Sequence, residues 1–259
     1  MTTTLRYGGS PDQVVEVLEP LGVPAGAAVL LHGGYWRARF TKALMDPLAQ
    51  DLLDRGWWVA NVEYRRLGVK DPQPPAGEER SGAWPTSLVD ATAALGAVRD
   101  HLRGSRFHLP VVSVGHSVGG QLALLTAGQV DAVVALAPVT DLARTREERL
   151  GEDAVRGVIP EPPQERPEAY AEGSPLHQLP VGRPTLLVHG DADTRVPLSH
   201  SEAYLRRARE LGDDVGLTVV PGLDHLGLIR PDAPHWPGVV DWVSRCSGAP
   251  APGDDLVRP

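Results

Sequence analysis

Short apolar runs alternate along the chain with stretches in which apolar residues recur every three or four positions. The compact apolar runs predict buried strands, at 28–32, 57–63, 111–114, 130–137, 185–189 and 215–220. The spaced patterns predict helices, at 42–55, after Trp84-Pro85, and at 118–127, 199–211 and 236–245. Strands that alternate with helices are typical of a mainly parallel sheet covered on both faces. The fold class is therefore predicted to be α/β.

The N-terminal part departs from this alternation. Residues 14–18 alternate around Glu16 and predict an edge strand. A turn rich in proline and glycine, at 20–26, separates this strand from the run at 28–32, so the two are expected to form an antiparallel hairpin that opens the sheet. A second such stretch, at 68–83, predicts a loop long enough to be suspected of a function.

The periodicity weakens between residues 141 and 180, where proline, glutamate and arginine are frequent. This stretch has too few apolar residues for a core of its own, so it is interpreted as a small cap-like helical excursion from the sheet. The prediction is a single domain over 1–246 that includes this excursion, followed by a flexible C-terminal tail at 247–259.

The composition of the chain limits the kinds of molecule that it is expected to bind. The chain has 25 lysines and arginines against 33 aspartates and glutamates, a net charge of −8, which argues against nucleic acid and anionic membranes. No apolar run approaches the roughly 18 residues of a membrane span, and no export segment is recognised, so a cytoplasmic protein is expected. The single cysteine, Cys246, is predicted to be an apolar packing residue on the last helix.

The most informative motif is Gly115-His-Ser-Val-Gly119, which directly follows one apolar run and precedes a helical pattern. A strand that turns sharply into a helix is the context of a nucleophile elbow, with Ser117 at the corner. Glycines at both ends remove side chains that would otherwise collide. The alternative is a tight turn with a capping serine.

A serine hydroxyl is a poor nucleophile, so it needs a base, and the base needs an orienting carboxylate. Asp191 and Asp193 share the turn after a predicted strand, and the residues alone leave both open. His225 follows the last predicted strand, where binding groups collect in such sheets, and it is the preferred base. The other two histidines after this turn are interpreted differently: His200 as a solvent-facing helix residue and His235 as an exposed or packing residue.

The segment His32-Gly-Gly-Tyr-Trp36 follows the second apolar strand. Glycines let the backbone approach a substrate, so this loop is predicted to form an oxyanion hole. The expected donors are the N–H groups of Gly34, Tyr35 and Val118. The alternative is an ordinary Gly-Gly turn in which Trp36 packs.

Several other side chains near these motifs have two interpretations each. Tyr35, Trp36 and Trp84 either contact substrate at the mouth of a pocket or pack beneath the loops. Arg37 and Arg39 either receive a substrate carboxylate, or are solvated or form surface ion pairs.

Over residues 12–245 the chain resembles the α/β-hydrolases, with Ser117, an acid and His225 in the expected order. The loop His32–Trp36 is similar to that of the kynurenine formamidase (arylformamidase) and carboxylesterase branch. In such families the acid often falls in a His-Gly-x-x-Asp-x-x-Val-Pro stretch. The match of His189–Pro197 to this stretch favours Asp193.

The resemblance implies an α/β-hydrolase fold and a serine hydrolase that forms an acyl-enzyme from a small or medium ester or amide, without metal or organic cofactor. Aryl-formamides and carboxylic esters are the leading substrates, followed by peptides, as in the prolyl oligopeptidases. The alternatives are a binding protein that keeps the fold without catalysis, and a lyase or acyltransferase using the same triad. A homodimer is retained as an option for the assembly.

Overall fold

In the computed structural model, which describes residues 2–68 and 82–247, the core is one eight-stranded sheet. Its strands are β1 Thr2–Arg6, β2 Val14–Leu18, β3 Ala27–Leu31, β4 Trp58–Glu63, β5 Val111–His116, β6 Ala132–Leu136, β7 Thr185–Gly190 and β8 Val215–Val220. Their order across the sheet is β1-β2-β4-β3-β5-β6-β7-β8. Strand β2 runs antiparallel to both neighbours, whereas β3 to β8 are parallel. The predicted α/β class with its antiparallel N-terminal strand is confirmed.

Helices cover both faces of this sheet. They are α1 Asp46–Asp54, α2 Thr86–Arg103, α3 Val118–Leu125, α4 Leu142–Glu147, α5 Leu150–Val158, α6 Pro167–Glu172, α7 Ser199–Glu210 and α8 Trp236–Cys246. Two apolar clusters result, because successive residues of a strand point to opposite faces. Val29 and Leu31 of β3 lie in the cluster with α2, α3 and α7, while Ala28 and Leu30 lie in the cluster with α1 and α8.

The predicted N-terminal hairpin is wrong. Residues 14–18 pair with β1 and β4, and β3 lies between β4 and β5 in the middle of the sheet. All five residues of β3 are buried, which suits a central strand with helices on both sides. The edge strand on this side of the sheet is β1, whose sequence Thr-Thr-Thr-Leu-Arg lacks the alternation that would have predicted it.

Other sequence predictions differ in detail or fall outside the described residues. The helix predicted at 42–55 begins as a 3-10 turn, Lys42–Met45, and continues as α1. Cys246 is partly buried and packs against the α1 and α8 cluster, as predicted. Most of the loop predicted at 68–83, and the tail after 247, lie outside the described residues. No helix in the described ranges is long and apolar enough to cross a bilayer.

The excursion predicted between β6 and β7 contains three short helices, α4 to α6, and a 3-10 turn, Pro175–His177. Residues 149 and 151–153 have positive φ values of 53° to 61°, so α5 begins in a left-handed turn. This turn brings the excursion against the loop that follows β3, as described below.

Candidate active site

Ser117 occupies a strained corner between β5 and α3. Its φ of 57° and ψ of −116° are unusual for a residue with a side chain. A Cβ atom on Gly115 would lie 2.1 Å from the carbonyl oxygen of Gly119, and one on Gly119 would lie 1.9 Å from that of Leu31. Both glycines are therefore required by close backbone contacts. The strand, turn and helix expected around Ser117 are present.

Asp193 lies in the loop after β7 and is buried. Its Oδ1 accepts the N–H groups of Arg195 at 2.8 Å and Val196 at 2.9 Å, and its Oδ2 lies 2.6 Å from Nδ1 of His225. Burial by itself would raise the pKa of this carboxyl. Hydrogen bonds from His189, His225 and the Val196 backbone outweigh burial and lower the pKa well below its usual range. Asp193 is therefore an ionised acceptor.

Asp191 has a different role in the same turn. Its side chain is exposed, and Oδ1 accepts the N–H of Gly222 at 2.6 Å, which ties the β7 loop to the β8 loop. The structure thus brings Asp193, and not Asp191, against His225.

His225 lies in the loop after β8 and is 5% exposed. Since the Asp193 carboxylate accepts from Nδ1, a neutral ring has its lone pair on Nε2. The carbonyl oxygen of His225 accepts from Nε2 of His116 at 3.0 Å, and the two rings lie 4.5 Å apart. His116 immediately precedes Ser117, so this contact joins the loop of the candidate base to the nucleophile elbow.

The pKa of His116 lies well below its usual range, chiefly because the ring is buried and also because His225 is near. A neutral ring that donates Nε2–H to a carbonyl has its lone pair on Nδ1. That atom is buried without a hydrogen-bond partner in the described residues.

His200 and His235, the other histidines after the Asp193 turn, form hydrogen bonds with other groups. His200 is fully buried, with Nε2 2.9 Å from a carboxylate oxygen of Glu148, so the prediction of a solvent-facing side chain is wrong. The physical reason is that Glu148, at the end of α4, covers this part of α7. His235 is buried and donates to the carbonyl of Leu228 at 3.1 Å, which is a packing role.

The loop after β3 lies against the elbow. A Cβ atom on Gly33 would lie 2.9 Å from Cβ of Ser117, so only glycine allows this approach. Gly34, Tyr35 and Trp36 have positive φ values of 124°, 55° and 56°. In the described residues, the N–H groups of Gly34 and Tyr35 donate to no backbone or side-chain acceptor. The N–H of Val118 is one of the unpaired donors at the start of α3.

The tryptophans named as candidate substrate contacts are buried, and only Trp84 has a hydrogen-bond partner for its ring N–H in the described residues, since Nε1 of Trp36 has none. Trp36 and Trp84 are 1% and 8% exposed in the larger apolar cluster, and Nε1 of Trp84 donates to Glu172. Contact of either ring with a substrate stays a prediction.

Arg37 donates to Glu152 and to the carbonyl of Gly151, both at 2.7 Å. Arg39 lies over the ring of Phe40. Arg37 therefore forms the predicted kind of ion pair, and Arg39 is an exposed side chain.

Tyr35 connects the loop after β3 to the excursion. A Cβ atom on Gly151 would lie 2.1 Å from the Tyr35 ring, so the left-handed turn of α5 packs directly on it. Burial raises the pKa of the Tyr35 hydroxyl, and the nearby Arg195 guanidinium opposes that effect. Arg195 belongs to the same loop as Asp193.

Sequence reasoning missed three contributors to this site: Gly33, His116 and Arg195. His116 and Gly33 both lie inside motifs that the sequence analysis recognised. Those motifs do not indicate which atoms the two residues contact. No sequence signal distinguishes Arg195 from a surface arginine. Its guanidinium acts on the hydroxyl of Tyr35, which is 160 residues away along the chain.

A sheet with a serine elbow after β5, an acid after β7 and a histidine after β8 defines the α/β-hydrolase class. A model of the prolyl oligopeptidase family matches residues 100–248, a range that contains Ser117, Asp193 and His225. The chain belongs to this family. The loop at residues 32–36 lies outside the matched range.

Two curated relatives are similar to the chain. An uncharacterized peptidase of Bacillus subtilis, YtmA, is 31% identical over 144 residues, which are 52% of this chain and 51% of that protein. The esterase LipQ of Mycobacterium tuberculosis is 24% identical over 236 residues, which are 82% of this chain and 53% of that protein. The chain thus spans about half the length of each.

Solved esterase structures share the fold. A truncated carbohydrate esterase from gut microbiota has a TM-score of 0.78 at 21% identity, covering 95% of this chain and 96% of that one. Esterase 2 of Thermogutta terrifontis with bound butyrate has a TM-score of 0.71 at 20% identity, covering 94% and 92%. These likenesses show the α/β-hydrolase fold.

Proposed function

We propose that the protein is a serine hydrolase that cleaves a small or medium ester or amide through an acyl-enzyme. The observation that carries this proposal is the 2.6 Å contact between Asp193 and His225, in loops that meet the Ser117 elbow at one edge of the sheet. A serine with a histidine base and an orienting carboxylate is the arrangement that acyl transfer needs.

In the first half of the reaction, Oγ of Ser117 attacks the substrate carbonyl carbon and passes its proton to Nε2 of His225. Asp193 remains ionised and stabilises the imidazolium. The oxygen that becomes negative is received by the N–H groups of Gly34, Tyr35 and Val118. Backbone donors suit this task because they are fixed in place before the charge develops.

The first half ends as the bond to the leaving alcohol or amine breaks and His225 returns the proton to that group, which leaves the acyl-enzyme. The second half is the hydrolysis of this acyl-enzyme. A water molecule then gives a proton to His225 and attacks the acyl carbon. His225 then returns this proton to Oγ of Ser117 as the bond between Oγ and the acyl carbon breaks, which restores the serine hydroxyl and releases the carboxylic acid. His225 thus relays both protons, the first from Ser117 and the second from water.

Esters are the leading substrate class within this proposal. Support comes from the similarity to LipQ and to two solved structures that are named as esterases. Peptides are the second candidate, because the family is that of the prolyl oligopeptidases and YtmA is named as a peptidase. Aryl-formamides are the third, and rest on the likeness of the loop at residues 32–36 alone.

A substrate panel with two serine variants tests the proposal. Short-chain nitrophenyl esters, N-formylkynurenine and a prolyl-peptide nitroanilide are compared with the unaltered protein, Ser117→Ala and Ser113→Ala. Ser113 is a matched control, since it lies on β5 and its buried hydroxyl has no hydrogen-bond partner in the described residues. We expect Ser117→Ala to lose about 10⁴-fold or more of kcat.

The outcomes separate the alternatives. Ser113→Ala should retain activity, and the substrate with the highest kcat/KM assigns the class. Equal turnover by the Ser117→Ala variant and the unaltered protein would contradict the mechanism. A folded, unaltered protein that turns over nothing in the panel would favour the non-catalytic alternative.

A further inference from the structure

His32, the first residue of the oxyanion loop, is fully buried with an oxygen acceptor at each ring nitrogen. Nδ1 lies 2.7 Å from the carbonyl oxygen of Gly33, and Nε2 lies 2.9 Å from Oε1 of Glu63. A carbonyl oxygen can only accept a hydrogen bond. The protonation state of Glu63 therefore decides what Nε2 must do.

Both oxygens of Glu63 already accept hydrogen bonds from other groups. Oε1 lies 2.7 Å from the guanidinium of Arg66 and 3.2 Å from the N–H of Tyr64, and Oε2 accepts the N–H of Lys42 at 3.0 Å. Burial by itself would raise the pKa of Glu63; besides His32, the charge of Arg66 and the N–H of Lys42 oppose burial and lower it. Since three donors, Arg66 and the N–H groups of Tyr64 and Lys42, reach this side chain even without His32, Glu63 is a carboxylate, and it too can only accept.

A neutral imidazole has one N–H and one lone pair. A neutral His32 would leave a lone pair facing an oxygen less than 3 Å away, in a fully buried site. A buried polar contact of this kind is costly. We propose that His32 is an imidazolium cation, paired with Glu63, which holds the oxyanion loop in its working orientation.

The charged groups around this pair balance when His32 is positive. Arg66 contacts both Glu63 and Asp12, the latter at 2.9 Å. His32 and Arg66 then contribute two positive charges against the two negative charges of Glu63 and Asp12. With a neutral His32 these four groups would carry a net negative charge, although Arg66 and Glu63 are buried and Asp12 is only partly exposed.

Two tyrosines also face this pair. The ring of Tyr64 is stacked on His32 at 4.3 Å, and its hydroxyl donates to the carbonyl of His32. The hydroxyl of Tyr7 donates to the carbonyl of Glu63 at 2.6 Å. Burial raises the pKa of both tyrosines above the usual value, so neither takes a charge over the range in which proteins are assayed.

The hydrogen bond from His32 to the Gly33 carbonyl determines where the N–H of Gly34 points. In a planar trans peptide the C=O and the following N–H point in opposite directions. With the Gly33 carbonyl held towards His32, the N–H of Gly34 points away from it, free for an oxyanion. A peptide flanked by two glycines rotates easily, so it needs such an anchor. His32 is a positioning residue that acts through Gly33, and this consequence rests on the proposed function.

The charge can be tested without an activity assay. Imidazole ¹⁵N spectra of the unaltered protein at pH 7.5 are recorded, with the His32 signals assigned by their loss in His32→Gln. We expect protons on both ring nitrogens of His32, and on only one ring nitrogen of His116. A single protonated nitrogen on His32 would overturn the proposal, whether or not the protein proves to be a hydrolase.

The consequence for the loop is tested with Glu63→Gln, which keeps the side-chain size and removes the charge. We expect one proton on the His32 ring at pH 7.5 and a fall in kcat of about 10- to 100-fold with KM nearly unchanged, because an oxyanion forms only in the transition state. The matched control is Asp90→Asn, which neutralises the buried carboxylate that pairs with Arg65 at 2.8 Å.

The control should keep kcat near that of the unaltered protein. An unchanged kcat in folded Glu63→Gln, or an equal fall in both variants, would refute the positioning role. Should Glu63→Gln fail to fold, the ¹⁵N spectrum of the unaltered protein still decides the charge on His32.

Discussion

The carboxylate of Asp193 contacts His225 with one oxygen, Oδ2, at 2.6 Å, while the other oxygen accepts two backbone N–H groups of its own loop. The acid is therefore held in place by its loop and is free to orient the imidazole. The elbow holds the backbone of His225 through the bond from Nε2 of His116 to the His225 carbonyl. Both the ring and the backbone of His225 are therefore held by contacts within the protein.

Of the two aspartates in the turn after β7, we expect only Asp193 to be needed for catalysis. We expect Asp193→Asn to lower kcat by about 10⁴-fold, since the amide no longer stabilises the imidazolium or the correct tautomer. Asp191→Asn should leave kcat near its original value, because Asp191 is exposed and bonds only to a backbone N–H. Steady-state kinetics on the best ester measure both. A larger loss at Asp191 would reverse the assignment.

The loop after β3 lies so close to the elbow that one methyl group added at Gly33 should lower kcat. Gly33→Ala places a Cβ 2.9 Å from Cβ of Ser117 and from the carbonyl oxygen of His116, so the loop must move. We expect kcat to fall by about 10²-fold, as when an oxyanion donor is lost. Gly96→Ala in α2 is the control, because nothing lies within 4 Å of the added atom. It should retain kcat and gain about 0.5 to 1 kcal/mol of stability.

The contact between the excursion and Tyr35 gives a third prediction. Gly151→Ala introduces a Cβ 2.1 Å from the Tyr35 ring, whereas Gly182→Ala adds one in open space; the φ values are nearly equal, 61° and 65°. Both variants bear the cost of a left-handed backbone. Only Gly151→Ala should lower kcat/KM, by about tenfold, because it displaces the loop that we propose holds the oxyanion. Equal kcat/KM values in both variants would show that the excursion does not act on Tyr35.

The buried His116 predicts a pH dependence of stability. Its folded pKa is depressed by burial, whereas the unfolded value is near 6.5, so its contribution is complete above that value and is lost as the pH falls below it. The loss approaches about 1.4 kcal/mol for each pH unit. Urea unfolding of the unaltered protein and His116→Gln at pH 7.5, 6.5 and 5.5 measures this. The variant should lose less stability, and parallel curves would contradict the assignment.

Much of the sheet is predictable from the sequence because parallel strands buried on both faces appear as continuous apolar runs. β3 and β5 are examples, with all residues buried. The polar strand β1 has no such signal. β2 pairs with β4, which is distant in the sequence. The turn-rich segment that links β2 to β3 instead suggests a local hairpin, and that prediction is wrong.

The elbow around Ser117 is predictable because its requirements are local: a strand, a turn with glycines at close contacts, and a helix. The turn by itself does not decide between Asp191 and Asp193, since both lie in it and differ only in their long-range partners; the family resemblance is what favours Asp193 in the sequence. The bond between His116 and the His225 loop spans 109 residues, and no residue pattern indicates it. Glu63 is recognisable as a partner of His32 only in three dimensions.

The measurement that tests the central claim most directly is covalent labelling by a fluorophosphonate. The probe reacts with a serine activated by a histidine base, so modification reports on nucleophile activation whatever the natural substrate. Peptide mass spectrometry of the labelled protein should locate one adduct, on Ser117, and labelling should be lost in Ser117→Ala and nearly abolished in His225→Ala. Labelling of a different residue, or equal labelling of the Ser117→Ala variant, would contradict the account.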